Sequence, residues 1–141
     1  MTQPHDSPRI GRSLAALLGG VLTVVLMSVG TDAMLHATSV FPPSGQPMSD
    51  LLFGVATTYR TIYAIAGSYV AARFAPNRPM GHALALGVIG LVLTIAGAAA
   101  TWNAGPALGP RWYPLALVAL AMPGAWVGGR LSGASSQGTT R

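Results

Sequence analysis

An arginine interrupts the apolar stretch FGVATTYRTIYAIAGSYVAAR, which covers residues 53–73 and has the length of a membrane-spanning helix. A lipid-facing arginine at the bilayer centre costs about 2.5–3.5 kcal/mol on insertion scales. Arg60 is therefore expected to face the interior of a helical bundle and to meet an anion there. Of the acidic residues, Asp32 is the one whose depth along its own helix fits that of Arg60. The sequence predicts an Asp32–Arg60 ion pair.

Two further side chains can join this pair. His36 follows Asp32 by four positions and so shares its helix face, and Tyr63 follows Arg60 by three. The hydroxyl of Tyr59 is an alternative hydrogen-bonding group. The predicted intramembrane polar cluster opens toward the outer face and consists of Asp32, His36, Arg60 and Tyr63.

The cluster has two interpretations. It is either a clamp that fixes which helices pair, or a site that binds or relays an ion or substrate, since intramembrane ionisable groups mark such pathways. One carboxylate and one imidazole are fewer than the four ligands of a structural zinc site, and we predict no metal or cofactor. We also predict no catalytic residue, because no nucleophile, base or phosphate-binding loop occurs at a recognisable spacing.

Composition indicates the class of protein around this cluster. The 141 residues are 51% hydrophobic and 8% charged, whereas soluble domains carry roughly 25% charged residues. The apolar residues form four blocks of bilayer-spanning length. The predicted fold is all-α, a polytopic transmembrane bundle of helices over 14–36, 51–72, 83–102 and 113–129, with disordered cytoplasmic tails over 1–12 and 132–141.

The arginines predict the orientation of the bundle. By the positive-inside rule, both termini are expected in the cytoplasm, with Arg111 alone at the outer side. A cleaved signal peptide is the alternative for the N-terminus, although the N-terminal apolar stretch of this chain is longer than the roughly 7–15 apolar residues of a signal peptide. The scattered arginines exclude a nucleic-acid footprint. The inner-side arginines are Arg9, Arg12, Arg73, Arg78, Arg130 and Arg141.

Small residues along the third predicted helix indicate a packing seam. Such stripes let membrane helices approach closely, although a pore wall would show the same pattern. In the fourth helix, Pro123 predicts a kink, because proline removes a backbone hydrogen bond. The seam residues recur at steps of four and three: Ala83, Gly87, Gly90, Thr94, Gly97 and Thr101.

The chain contains no Lys or Glu and is rich in Ala, Gly, Pro and Arg, a usage typical of bacteria with GC-rich genomes. We predict a small bacterial inner-membrane protein with a structural or accessory role, in contact with the lipid bilayer and compatible with a homo-oligomer or larger membrane complex. The alternative is a small transporter or channel with an outward-facing polar pocket built on Asp32, Arg60 and His36.

Overall fold

Four antiparallel helices form the protein. The computed structural model describes residues 7–43, 45–103, 105 and 108–137. The helices are α1 (Ser7–Ala37), α2 (Asp50–Arg73), α3 (Pro79–Thr101) and α4 (Trp112–Gln137). The prediction of an all-helical fold with four helices is confirmed for this part of the chain.

Helices α1 and α4 are longer than the apolar runs that predicted them. Residues 7–12 and 132–137, assigned to the tails from sequence, continue α1 and α4 as helix. Hydropathy marks where the apolar run ends, whereas a helix continues into polar sequence until a breaker stops it. Residues 1–6 and 138–141 lie outside the described residues, so their predicted disorder remains a prediction.

Three helices are long and apolar enough to cross a membrane, and their spans are Arg9–Ala37, Pro79–Thr101 and Trp112–Gly133. The prediction of four such helices is therefore supported for three within the described residues. Helix α2 is not among them, because Arg60 lies within a run of threonines and tyrosines that lowers its hydropathy.

Helix α2 occupies the centre of the bundle. It packs against α1, α3 and α4, and α4 also packs closely against α3. Helix α1 contacts α3 much less than it contacts α2. The least apolar helix thus contacts all three others, while Leu51, Val55 and Ile62 leave one of its faces exposed.

The bundle has two different ends. The basic end is where α1 and α3 begin and α2 and α4 finish, and the aromatic end is the opposite one. At the basic end, glycines hold the helices together: a Cβ added at Gly20 would lie 2.7 Å from the carbonyl oxygen of Gly67, and one at Gly87 would lie 2.5 Å from Ala125 Cβ. Only residues without a side chain allow the backbones to approach this closely.

The aromatic end is closed by rings. Phe41, from the loop after α1, is 4% exposed and packs with Ala56 and Tyr59 of α2. Tyr113 of α4 lies against Phe53, with ring centroids 5.0 Å apart. Gly109 has a φ of 104° and touches the Phe53 ring, so the α3–α4 loop passes directly over this layer.

Gly20→Ala is expected to destabilise the protein by about 1–3 kcal/mol, because the added methyl meets the Gly67 carbonyl, which cannot move without shifting α2. The measurement is the free energy of unfolding in detergent. Gly30→Ala is the matched control, since it lies in the same helix with nothing within 4 Å of the added Cβ. Equal stability of the two variants would contradict close α1–α2 packing at Gly20.

Candidate functional site

Asp32 and Arg60 meet between α1 and α2. Arg60 Nη2 donates a hydrogen bond to Asp32 Oδ2 at 2.5 Å, and this contact is also an ion pair. The Arg60 side chain is 36% exposed and the Asp32 side chain 29%. A charge-assisted contact of this kind is among the stronger hydrogen bonds in proteins, particularly where water is scarce.

Tyr59 hydrogen-bonds the second carboxylate oxygen of Asp32. Its hydroxyl donates to Asp32 Oδ1, so each oxygen of Asp32 accepts a hydrogen bond from one of two adjacent residues of α2. The Tyr59 ring is 9% exposed and belongs to the aromatic layer with Phe41. Packing in the aromatic layer therefore positions the Tyr59 hydroxyl, which in turn holds the Asp32 carboxylate.

Tyr63 is near the pair but bonds elsewhere. Its hydroxyl lies 2.8 Å from Thr31 Oγ1, and its ring centroid lies 5.7 Å from that of Tyr59. The Thr31–Tyr63 hydrogen bond is a second polar link between α1 and α2. It runs beside the Asp32 contacts and does not include Arg60.

His36 contacts Phe41 rather than the Asp32–Arg60 pair. Its imidazole packs edge-on against Phe41, with ring centroids 5.6 Å apart. Helix α1 ends one residue later, and the chain folds back so that the amide of Phe41 donates to the carbonyl of Leu35. This reversal places an aromatic ring beside the imidazole. Across the described residues, no three His, Cys, Asp or Glu side chains are grouped as metal ligands.

Tyr113 is a neighbour of the pair that sequence reasoning did not assign to it. The ring packs onto the layer of Phe41, Ala56 and Tyr59, and the hydroxyl faces the Arg60 guanidinium. Its approach to Arg60 depends on how α4 packs against α2, and no local pattern reports that.

A cavity of about 240 Å³ lies beside Arg60, and all four helices line it. Arg60 is at the end of the cavity nearer the aromatic end of the bundle, and Ser68 and Leu86 are at the other. Its remaining walls are mainly valine, leucine and glycine. The cavity therefore places one guanidinium group at the edge of an otherwise largely apolar volume.

The predicted seam of α3 has two different halves. Ala83 is fully buried, and Gly87 packs against Ala125 of α4. Farther along, Gly90 and Thr94 line the cavity. Gly97 has nothing within 4 Å of an added Cβ, and Thr101 donates its hydroxyl hydrogen bond to the carbonyl of Gly97.

Pro123 lies inside α4, which continues as helix on both sides of it. The side chain is exposed. The kink predicted there stays a prediction.

Comparisons with known proteins found no family model, curated protein or solved structure that matches this chain.

Tyr59→Phe is expected to lower the free energy of unfolding by about 1.5–3 kcal/mol, since it removes a hydrogen bond to a charged acceptor and keeps the ring. Chemical unfolding in detergent measures this change. Tyr69→Phe is the control, because it deletes a hydroxyl from the same helix outside the polar contacts described above. If the two variants lose the same stability, the Tyr59 hydroxyl does not hold Asp32.

Proposed function

We propose that this chain is a small integral membrane protein of the bacterial inner membrane. It crosses the bilayer four times, keeps both termini in the cytoplasm and has a structural or accessory role. The observation that carries the proposal is the meeting of Arg60 with Asp32 in a bundle whose surface is otherwise suited to lipid. In this proposal, the Asp32–Arg60 pair is a clamp that selects α1 as the partner of α2.

The position of α2 supports a fourth crossing. It has 24 residues, which extend about 36 Å at 1.5 Å per residue and exceed the hydrocarbon thickness of a bilayer. It runs antiparallel between two helices that are apolar enough to span. The low hydropathy of α2 comes from groups that have partners: Arg60 with Asp32, and Thr57 and Thr61 with carbonyls of their own helix.

The distribution of arginines supports the orientation. At the basic end, all the arginines of the described residues are exposed, whereas the aromatic end carries Arg111, stacked over Trp102 at 5.3 Å. The positive-inside rule assigns the end with more arginines to the cytoplasm. Arg130 also lies over the exposed ring of Trp126 at 4.9 Å, an arrangement suited to a membrane interface. The exposed arginines of the basic end are Arg9, Arg12, Arg73, Arg78 and Arg130.

Alkaline phosphatase fusions test the crossing of α2 and the orientation together. The enzyme is active only outside the cytoplasm, so a fusion after Gly45, before α2, is expected to be active and one after Asn77, beyond α2, inactive. A C-terminal green fluorescent protein fusion is expected to fluoresce. Equal phosphatase activity at the two positions would show that α2 does not cross, and the reverse pattern would place both termini outside.

A double-mutant cycle tests the clamp. Asp32→Leu and Arg60→Leu are each expected to cost about 3–5 kcal/mol, because each leaves one uncompensated charge among apolar helices. The double variant is expected to recover much of that loss, and unfolding in detergent gives the coupling energy. Arg12→Leu, which removes an exposed arginine, controls for loss of charge. Single variants as stable as the natural protein would contradict the clamp.

The alternative function, a small transporter or channel built on Asp32, Arg60 and His36, is favoured by the cavity that reaches Arg60. Both carboxylate oxygens of Asp32 already have donors, and His36 packs on Phe41, so the contacts support the clamp better. A pH-dependent ion flux in liposomes that Asp32→Asn removes would support transport instead.

A further inference from the structure

We propose that the exposed arginines of the basic end bind the headgroup phosphates of anionic phospholipids. The inference rests on the membrane insertion proposed above, but it depends neither on the orientation of the termini nor on the Asp32–Arg60 clamp. These arginines form the arginine layer, which consists of Arg9, Arg12, Arg73, Arg78 and Arg130.

All four helices meet at one level of the bundle. A Cβ added at Gly20 of α1 would lie 2.7 Å from the Gly67 carbonyl oxygen of α2 and 2.9 Å from Leu86 Cδ2 of α3. At the next residue of α3, a Cβ added at Gly87 would lie 2.5 Å from Ala125 Cβ of α4. These contacts define a common level, the glycine level, from which depth along each helix can be measured.

The arginine layer lies on one side of the glycine level at similar depths in the four helices. Arg130 is five residues beyond Ala125, and Arg9 is eleven residues before Gly20. At a rise of 1.5 Å per residue, these separations are about 8 and 16 Å. The other arginines have intermediate depths: Arg12 is eight residues from Gly20, Arg73 six from Gly67 and Arg78 nine from Gly87.

Two tryptophans mark the opposite interface. Trp102 follows Gly87 by fifteen residues, and Trp112 precedes Ala125 by thirteen. Both therefore lie about 20–22 Å from the glycine level in the other direction, which places them roughly 30–40 Å from the arginine layer. The hydrocarbon core of a bilayer is about 30 Å thick, and headgroups flank it. The arginine layer is thus at the depth of phospholipid headgroups.

The charge of the arginine layer is not balanced at the basic end. Among the described residues, the one ion pair is that of Asp32 with Arg60, and Asp50 begins α2 at the aromatic end. Asp6 lies outside the described residues, and one aspartate would still leave four of the five positive charges. An anionic headgroup supplies the missing charge, whereas a zwitterionic headgroup brings a cation of its own.

Exposed apolar side chains adjoin the arginines and indicate that the phosphate belongs to a lipid. Ile10, next to Arg9, is 62% exposed, and Phe74, next to Arg73, is 68% exposed. A nucleic acid or a soluble acidic protein would leave these apolar side chains in water. The boundary between headgroups and acyl chains accommodates both kinds of group, because the apolar side chain enters the acyl region while the arginine reaches the phosphate.

Arg78 and Arg130 lie on either side of one contact between α3 and α4. A Cβ added at Gly129 would lie 2.7 Å from Met80 Sδ, so these two residues pack directly. Arg78 precedes Met80 by two positions, and Arg130 follows Gly129. The Arg130 guanidinium also lies 4.9 Å from the ring of the exposed Trp126. This corner of the bundle therefore carries two cations and an intrinsic fluorescent reporter.

Fluorescence quenching by brominated lipids tests the inference. Trp102→Phe with Trp112→Phe leaves Trp126 as the reporter of the basic end, and Trp126→Phe leaves the other two tryptophans to report the aromatic end. Each full-length variant is reconstituted in phosphatidylcholine vesicles that contain an equal fraction of brominated phosphatidylglycerol or brominated phosphatidylcholine. We expect phosphatidylglycerol to be preferred about three- to fivefold at Trp126, and less than about 1.5-fold at the aromatic end.

The same vesicles provide the outcomes that contradict the inference. Equal quenching of Trp126 by the two brominated lipids would overturn it, and so would an equal preference at both ends of the bundle. Sodium chloride at about 0.5 M is expected to reduce the preference, because salt screens charges at the surface. If inorganic phosphate removes the preference at constant ionic strength, the arginines bind free phosphate and the assignment to lipid is wrong.

Removal of two arginines tests their role beside Trp126. Arg130→Gln is combined with Arg78→Asn, because Arg78 has a φ of 45° and asparagine tolerates that conformation. The double variant is expected to lower the preference at Trp126 about two- to threefold. Arg111→Gln, which removes the exposed arginine of the aromatic end, is the control and is expected to leave it unchanged. An unchanged preference in the double variant would overturn the role of these arginines.

Failure of this inference and failure of membrane insertion give different results. If neither brominated lipid quenches any of the tryptophans, the chain is not inserted, and both proposals are wrong. Strong quenching by both lipids without a preference would overturn the binding of anionic lipid and leave insertion intact. The orientation of the termini does not affect the result, because both leaflets of the vesicles contain the brominated lipid.

Discussion

In the membrane setting proposed above, the contact between Asp32 and Arg60 constrains how this bundle can be arranged. A guanidinium in the middle of a membrane helix must face protein and meet an anion, and both requirements agree with the contacts of α2 to all three other helices and with its pairing with α1. The aromatic layer then follows, because Tyr59 holds the second carboxylate oxygen and is itself held by Phe41. One charge thus organises contacts in α1, α2 and the loop between them.

The two ends of the bundle use different means of association. At the basic end, glycines bring backbones together, and dispersion between closely packed atoms holds the helices. At the aromatic end, the helices are joined by ring contacts and by hydrogen bonds between side chains. The cavity has lining residues from both regions, from Gly87, which packs against Ala125, to Arg60, which meets Asp32.

The sequence predicts the helices well because lipid imposes a simple rule on composition. It predicts the bounds of α2 to within one residue at each end, whereas the hydropathy of α2 does not identify it as a membrane span, since Arg60 and its polar neighbours lower that hydropathy. Asp32 could be paired with Arg60 by depth alone because the chain has so few acids. The partners of Tyr63 and His36 could not be obtained that way. Spacing along a helix face does not include the loop that brings Phe41 back to His36, and it does not identify Thr31 as the hydrogen-bond partner of Tyr63. Tyr113 approaches Arg60 only through the packing of α4.

Asp32 and Arg60 are 28 positions apart in the chain, and this separation has a consequence for synthesis. In the membrane topology proposed above, the carboxylate on α1 leaves the ribosome before its cationic partner, so α1 is inserted while its anion has no counter-charge. Helix α1 is apolar enough to span a membrane despite that anion, whereas α2 does not have the hydropathy of a span. The proposed order of insertion therefore places the more apolar helix first, and α1 then provides the counter-ion for Arg60 of α2.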